Sequence, residues 1–257
     1  MVLNRLFVAS TFALAIVFAV GPATAGNPSA LWDIVSGKCV SEQSQQVAQP
    51  TCAQVDISQG LGNGFAVLKD NATSKPFEYL LIPTTRIAGT EDPRLLEPLA
   101  PNYFEDAWEA RHFIGKSLGT EPQRDMVALA INSMQDRSQD QFHIHVDCIR
   151  GDVRSKLKEN DQNFGSQSTQ LDLPSPDHPY AVLRLVEQNL AGSNPFQLVA
   201  QGLPGASGHM GLMTIVIVGA TFPNGQEGFY VLASQASSSM SAHGEDLIDP
   251  DCRLANR

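Results

Sequence analysis

Residues 141–148, Gln-Phe-His-Ile-His-Val-Asp-Cys, alternate polar and apolar side chains for most of their length. Alternation at period two is what a half-buried β-strand requires. The pattern sets Gln141, His143 and His145 on one face and Phe142, Ile144 and Val146 on the other, against a core. Two imidazoles at i and i+2 on one wall stand about 7 Å apart by strand rise. A single His in a strand is ordinarily a satisfied structural residue. A pair backed by a wholly apolar face and flanked by Gln141 points instead to chemistry, either as metal ligands or as a nucleophilic ring with a supporting neighbour.

Around this strand the chain reads as α+β. Residues 29–35 form a short helix, and the Ser/Gln-rich stretch 41–49 a surface loop. Residues 65–69 and 77–83 form a hairpin whose exit, after Pro83, leaves Arg86 at a sheet end. Asn102 opens a helix with Glu105 three residues on, a capping-box start, and Gly119 closes it. Residues 126–131 lead as a strand into the histidine strand, so the order is β-β-α-β-β, an antiparallel sheet with a helix laid on it.

The C-terminal half repeats that order more faintly. Residues 180–186 are a strand, Asn194-Pro195 starts a helix, residues 213–222 are a long β-branched strand, and residues 228–233 its partner across Pro223-Asn224-Gly225. Set beside Phe142-His143-Ile144-His145-Val146, the segment Phe229-Tyr230-Val231-Leu232-Ala233 keeps the apolar beat and loses the histidines. The expectation is a degenerate internal repeat: a catalytic half over 26–160 and a supporting half over 161–257, packed as a pseudo-dimer in one globular unit. Phe65 and Trp108 fall in regular apolar patterns and read as core.

Charge and cysteine usage bound the function. The chain carries −10 formally, and the N-terminal 25 residues contribute only Arg5 to that balance. An acidic body repels a polyanionic backbone, which argues against nucleic-acid binding. Arg5, the apolar run 6–20 and Ala23-Thr24-Ala25 form an export signal, cut after Ala25 or kept as a membrane anchor. The body then sits outside the cytosol, in the periplasm. There Cys39, Cys52, Cys148 and Cys252 form an even set with three connectivities open. The preferred pairing joins Cys39 to Cys52 around a short loop and Cys148 to Cys252, tying the tail to the end of the histidine strand.

These residues carry a resemblance. The β-β-α-β-β order, Leu81-Ile82-Pro83, Asn132 ahead of the histidine strand, and Phe142-His143-Ile144-His145-Val146 resemble the histidine triad superfamily. More narrowly, the export segment and residues 64–70, 79–87, 129–133 and 142–150 resemble bacterial CDP-diacylglycerol diphosphatases over nearly the whole mature chain. The resemblance implies a sheet of the histidine triad type and hydrolysis of CDP-diacylglycerol to CMP and phosphatidate through a cytidylyl-histidine intermediate. It makes His143 the nucleophile, its ring held by a backbone carbonyl, and His145 a donor to a phosphate oxygen. The first histidine of the triad is replaced by Gln141, whose amide can still donate or accept a hydrogen bond.

Donors to the phosphate are expected from Asn132, Ser138 and Gln139 in the preceding loop, with Arg86 or Arg150 as cationic support. The plain alternatives are a turn-capping role for Asn132, solvated loop positions for Ser138 and Gln139, and a surface position for Arg150. No acidic cluster stands out as a metal cage, and the superfamily chemistry requires no metal or other cofactor. The substrate implies contact with a membrane surface; oligomeric state is left open. The rival enzyme reading is nucleotidyl transfer to an alcohol. The non-enzymatic rival is an exported copper- or zinc-binding protein using His143, His145, His209, Met210 and Met213. His112, His178 and His243 carry no spacing signal.

Overall fold

The computed structural model describes residues 26–174 and 178–256. The expected export segment lies outside the described residues, and no helix among them is long and apolar enough to cross a membrane.

The architecture is α+β, built on one nine-stranded antiparallel sheet. Its strands are β1 (Gln54–Asp56), β2 (Phe65–Lys69), β3 (Tyr79–Pro83), β4 (Val127–Ile131), β5 (Ile144–Cys148), β6 (Thr169–Asp172), β7 (Pro179–Leu185), β8 (Met213–Thr221) and β9 (Glu227–Gln235). They lie in the order β1-β2-β3-β5-β4-β8-β9-β7-β6. The four strands β2 to β5 are thus arranged first, second, fourth, third, and β6 to β9 repeat that arrangement from the opposite edge. The two sets meet at the antiparallel pair β4 and β8, where Ala128 faces Val218 and Ile131 faces Ile215.

One face of the sheet holds the larger core. Helices α3 (Tyr103–Ala110), α4 (His112–Leu118) and α6 (Pro195–Gly202) cover it with Phe104, Trp108, Ile114, Phe196 and Val199, against Ile144, Val146, Ile217 and Val231. Trp108 is 1% exposed and meets Phe229 edge-on at 4.8 Å, so it is core as expected, and Phe65 is buried too. The α3 start also follows the sequence, with Asn102 Oδ1 accepting from Glu105 N at 3.4 Å. The reciprocal half of the capping box is missing, because the Glu105 carboxylate accepts from Leu190 N instead and ties the helix to the second half.

The opposite face is covered in two separate patches. Helices α1 (Ala30–Ile34) and α2 (Val40–Gln45), joined by the π-helical Val35–Cys39, pack Leu31 and Val35 on Ala66, Leu80 and Ile82. Helix α5 (Gly151–Glu159) packs Val153 and Leu157 on Ala128, Ala130, Val216, Val218, Tyr230 and Leu232. Between the patches lies a polar strip, and His145 stands in it, paired with Leu80 on one side and Ala130 on the other.

Two sequence expectations are corrected here. Residues 41–45 are helical, because the stretch continues the turn begun at Ala30; the loop starts only after Gln46, whose φ of 52° breaks the helix. The histidine strand begins at Ile144, not at 141. Continuing the β3–β5 register from Leu81↔Ile144 would set Phe142 against Pro83, which has no N–H to donate. Phe142 N donates instead to Ile87 O at 2.6 Å.

Both preferred disulfides form: Cys39–Cys52 and Cys148–Cys252. Such bridges belong to proteins of oxidising compartments. The second closes a sequence separation of 104 residues. Replacing both of its cysteines by serine should lower stability by up to about 4 kcal/mol in the chain-entropy picture. Equilibrium urea unfolding of the double variant checks this; an unchanged midpoint would mean that the tail is held without the bridge.

Candidate active site

The strip between the two covers carries charge. Its base is the β2–β3 turn. Lys69 Nζ donates to the carbonyls of Asp70, Lys75 and Glu78, each at 3.0 Å, and so pins the backbone of that turn from beneath. The pinned turn presents Lys75 and Glu78 to the end of β5. Glu78 is fully buried, and its Oε1 lies 2.9 Å from His145 Nδ1 and 3.0 Å from Lys75 Nζ. Burial pushes this carboxyl up, but the hydrogen bond from His145 and the charges of His145 and Lys75 outweigh it, and the net shift is downward.

The other wall is the 3-10 turn Gly244–Leu247. Asn132, immediately after β4, accepts from Gly244 N at 2.8 Å and Glu245 N at 3.3 Å through Oδ1, and donates from Nδ2 to Glu245 Oε1 at 2.7 Å. The close approach needs glycine: a Cβ on Gly244 would stand 2.8 Å from Thr214 Oγ1 and 3.1 Å from Ile131 O. Glu245 also forms an ion pair with Lys75, and its Oε1 lies 3.1 Å from His145 Nε2, near enough for charge attraction although outside hydrogen-bond geometry. His243 stands beside it, Nε2 3.5 Å from Glu245 and Nδ1 3.1 Å from Asp246. Its pKa is raised to about 9, by the Glu245 carboxylate first, against desolvation, with Asp246 adding to the rise. The Glu245 carboxyl is held far below the usual range, since His243, His145 and Lys75 together overcome its burial.

His143 lies just before β5, 7% exposed, with its ring centroid 4.9 Å from that of His145 and the planes at 66°. Its Nδ1 is 2.7 Å from Gln141 O. A carbonyl only accepts, so Nδ1 carries the proton and Nε2 keeps its lone pair. Burial lowers the pKa of this ring to about 4, helped by the neighbouring imidazole, against the pull of the Gln141 carbonyl and the two carboxylates. At neutral pH the ring is uncharged, with one nitrogen free to act as a nucleophile.

A family model described as CDP-diacylglycerol pyrophosphatase matches residues 26–256. A protein of Yersinia pestis named CDP-diacylglycerol pyrophosphatase is 38% identical over 230 residues, which is 89% of this chain and 85% of that protein. The chain belongs to the CDP-diacylglycerol pyrophosphatase family. It is accordingly a hydrolase.

The structure places the other expected site residues of this pyrophosphatase-family chain unevenly. His143, His145 and Asn132 converge. Gln141 is fully buried and directs its Nε2 at Pro83 O (3.2 Å) and Thr85 O (3.0 Å), so its side chain braces the loop whose carbonyl holds His143. Gln139 ties the loop to the N-terminal helices, donating to Asn27 O at 3.1 Å and accepting from Leu31 N at 3.1 Å. Ser138 is exposed on the same loop. Arg86 reaches outward to Ser29 Oγ at 3.0 Å and over the Trp32 ring. Arg150 bonds Asp152 and Asp246 O, beside the Gly244–Leu247 turn. The copper or zinc set is not assembled, because Met210 and Met213 pack in the core on the far side of the sheet from His143 and His145.

Sequence reasoning missed Lys75, Glu78, His243 and Glu245. It also missed that Glu78, His145 and Glu245 each bring one donor atom within 4.8 Å of the others. The Lys75 ammonium already contacts both of those carboxylates, so a divalent cation there would have to displace a cation that the protein supplies itself.

The pKa of His143 generates a prediction. Its folded value, about 4, lies below the ordinary 6.5. The unfolded chain therefore binds more protons between those values, and stability falls as pH drops through that window. Imidazole nitrogen NMR should find His143 neutral with the proton on Nδ1 down to pH 5, and titration at its ordinary value would refute the assignment.

Proposed function

We propose that this chain hydrolyses CDP-diacylglycerol to CMP and phosphatidate, with His143 as nucleophile and a cytidylyl-histidine intermediate. Family membership supplies the substrate, and the observation that supports the residue is the His143 Nδ1 contact with Gln141 O, which leaves Nε2 unprotonated.

The His143 Nε2 lone pair attacks the phosphorus that bears the cytidine. The bond from that phosphorus to the bridging oxygen breaks, and phosphatidate leaves with the electron pair. Water then attacks the phosphorus of the cytidylyl group, the P–N bond breaks, its electrons return to Nε2, and the proton lost by water passes to solvent. A depressed pKa suits both steps. The ring is neutral and able to attack, and it is a good leaving group in the second displacement.

His145 supports the developing charge on the phosphoryl oxygens, with Glu78 fixing its ring through Nδ1 so that Nε2 faces the reaction. Asn132 donates from Nδ2 to a phosphoryl oxygen. Arg86, Arg150, Ser138 and Gln139 act at the rim, toward the nucleotide and the lipid headgroup. Nothing in this scheme calls for a metal.

The histidine triad reading extends to the whole sheet. Residues 26–160 and 161–257 are read as two halves of a pseudo-dimer, supported by the first-second-fourth-third strand order found in each. The second half is degenerate where chemistry would sit, since Tyr230 and Leu232 take the places of His143 and His145 and lie under α5. The chain acts outside the cytosol at a membrane surface, brought there by residues 1–25 as signal or anchor, and the two disulfides support such a compartment.

Incubation with CDP-diacylglycerol labelled in the cytidylyl phosphate tests the reading. His143→Ala should lose CMP and phosphatidate release by at least about a thousandfold, as loss of a covalent nucleophile does. Rapid quenching of the wild type should trap label on the protein. Unchanged release by His143→Ala would remove the assignment. Glu78→Gln should lower the turnover number more than it changes KM, because it loosens a ring that acts in the transition state.

A further inference from the structure

The side chain of Glu245 sits where four nitrogens converge. Asn132 Nδ2 donates to it, Lys75 Nζ pairs with it, His145 Nε2 lies 3.1 Å away and His243 Nε2 3.5 Å away. A carboxylate and a phosphate group ask for the same partners, charge-assisted N–H donors aimed at anionic oxygens. The set surrounds a carboxylate whose side chain is only 18% exposed and which stands at the mouth of the strip that holds His145. Moreover, Glu245 lies against the one ring nitrogen of His145 that Glu78 does not occupy.

Access makes the same point from the other side. His143 and His145 are 7% and 4% exposed. The way in runs through the gap between the two covers, and there Glu245 stands against His145 Nε2. The α1–α2 cover is fixed by the Cys39–Cys52 bridge and an apolar patch, and α5 by another apolar patch. The Gly244–Leu247 turn is held at its start by hydrogen bonds to Asn132 Oδ1, while its end is fixed by the fully buried Leu247 side chain and the Arg150 N bond to Leu247 O, so that only the Gly244–Glu245 end is lightly tied. Just beyond it the chain is anchored firmly, by the Ile149↔Ile248 bridge, the Asp249 N bond to Cys148 O and the Cys148–Cys252 disulfide. That gives a short flap with a fixed C-terminal hinge.

We propose that Glu245 occupies a phosphate-binding position in the free protein, and that the Gly244–Leu247 turn withdraws it when a phosphate-bearing ligand binds. Lys75 and Asn132 then transfer their hydrogen bonds from the carboxylate to a phosphate oxygen. Lys75 becomes the substrate's cationic partner, which the arginines of the rim are not placed to be. The turn also becomes a selectivity device, since a ligand must be anionic enough to displace a carboxylate already seated. This rests on the reading above that a pyrophosphate is cleaved at His143.

The test reads the turn directly in the full-length wild-type protein. Backbone amide hydrogen exchange is followed with and without inorganic phosphate, and with and without CMP. The Gly244 and Glu245 amides, bonded to Asn132 Oδ1 in the free state, should exchange faster when either probe is bound, while the amides of β4 and β5 stay protected. Unchanged or slower exchange at both amides with probe bound, or no binding of either probe, overturns the proposal.

Variants give a second readout. Glu245→Ala should bind inorganic phosphate and CMP about tenfold more tightly, the order expected from removing one like charge at hydrogen-bond range in a partly buried site. Glu245→Gln should fall between, and adding Lys75→Met to Glu245→Ala should abolish the gain. Folded Glu245 variants that bind the probes no better than wild type would mean that the carboxylate positions a donor rather than competing with the ligand. All of these measurements are independent of turnover. Were His143→Ala to go on releasing CMP, the nucleophile assignment would fall while the exchange and binding results still judged the flap.

Discussion

A fully buried carboxylate governs this structure. Taking Glu78 out of water costs several kcal/mol unless cations and donors meet it at short range. Lys75 reaches it from three residues before, His145 from the neighbouring strand. Neither partner is free to choose its position. Lys75 belongs to a turn whose carbonyls are gathered on the Lys69 ammonium, and the His145 ring is confined between the Leu80 and Ala130 rows of the sheet. The charge then propagates outward: Lys75, with a second carboxylate within reach, draws in Glu245, and Glu245 draws in His243. The docking of the C-terminal segment on the sheet thus adds this chain of charges to the Cys148–Cys252 bridge and the buried Leu247 and Ile248.

The same polar strip explains why the sheet needs two covers on one face and a single layer on the other. The α3, α4 and α6 face is apolar from β3 to β9 and takes one continuous core. On the opposite face a continuous helical layer would bury Glu78, His143 and His145 under hydrocarbon. The chain instead splits its cover into α1–α2 and α5, with the gap over the histidines. In the second half no such constraint exists: Tyr230 and Leu232 accept helix α5 directly, and the Tyr230 hydroxyl is satisfied by Asp161 at 2.8 Å.

What the sequence made legible was whatever periodicity carries. Residues 65–69 form the expected strand without shift, and the strand at 180–186 moves by a single residue, because alternation or a β-branched run sits between clear turn signals. The histidine pair was legible for the same reason. Helix α5 was not, since only Val153 and Leu157 face inward in a strongly charged segment and Arg150 stands where a capping residue would mark its start. The edge strands β1 and β6 were also missed; each is three or four residues long with at most one buried side chain. Glu78 and Glu245 were invisible for a deeper reason. Their significance lies in contacts at sequence separations of 67 from Glu78 to His145 and 170 from Glu245 to Lys75, and no local pattern records such pairings.

Gln141 serves the site through its main chain and its side chain separately. What His143 takes from residue 141 is the main-chain carbonyl, and any residue supplies that. The side chain has a different task, which is to hold the carbonyl still. Pro83 ends the β3 ladder one pair early, and the freed Pro83 and Thr85 carbonyls would be left short of donors in a buried place. The Gln141 amide satisfies both with one NH2 group, whereas a neutral imidazole has a single N–H to offer. The amide is thus better suited than histidine to a chain in which a proline closes the neighbouring strand. The glutamine answers the Leu81-Ile82-Pro83 exit, and His143 two residues on keeps its orientation because that loop is braced.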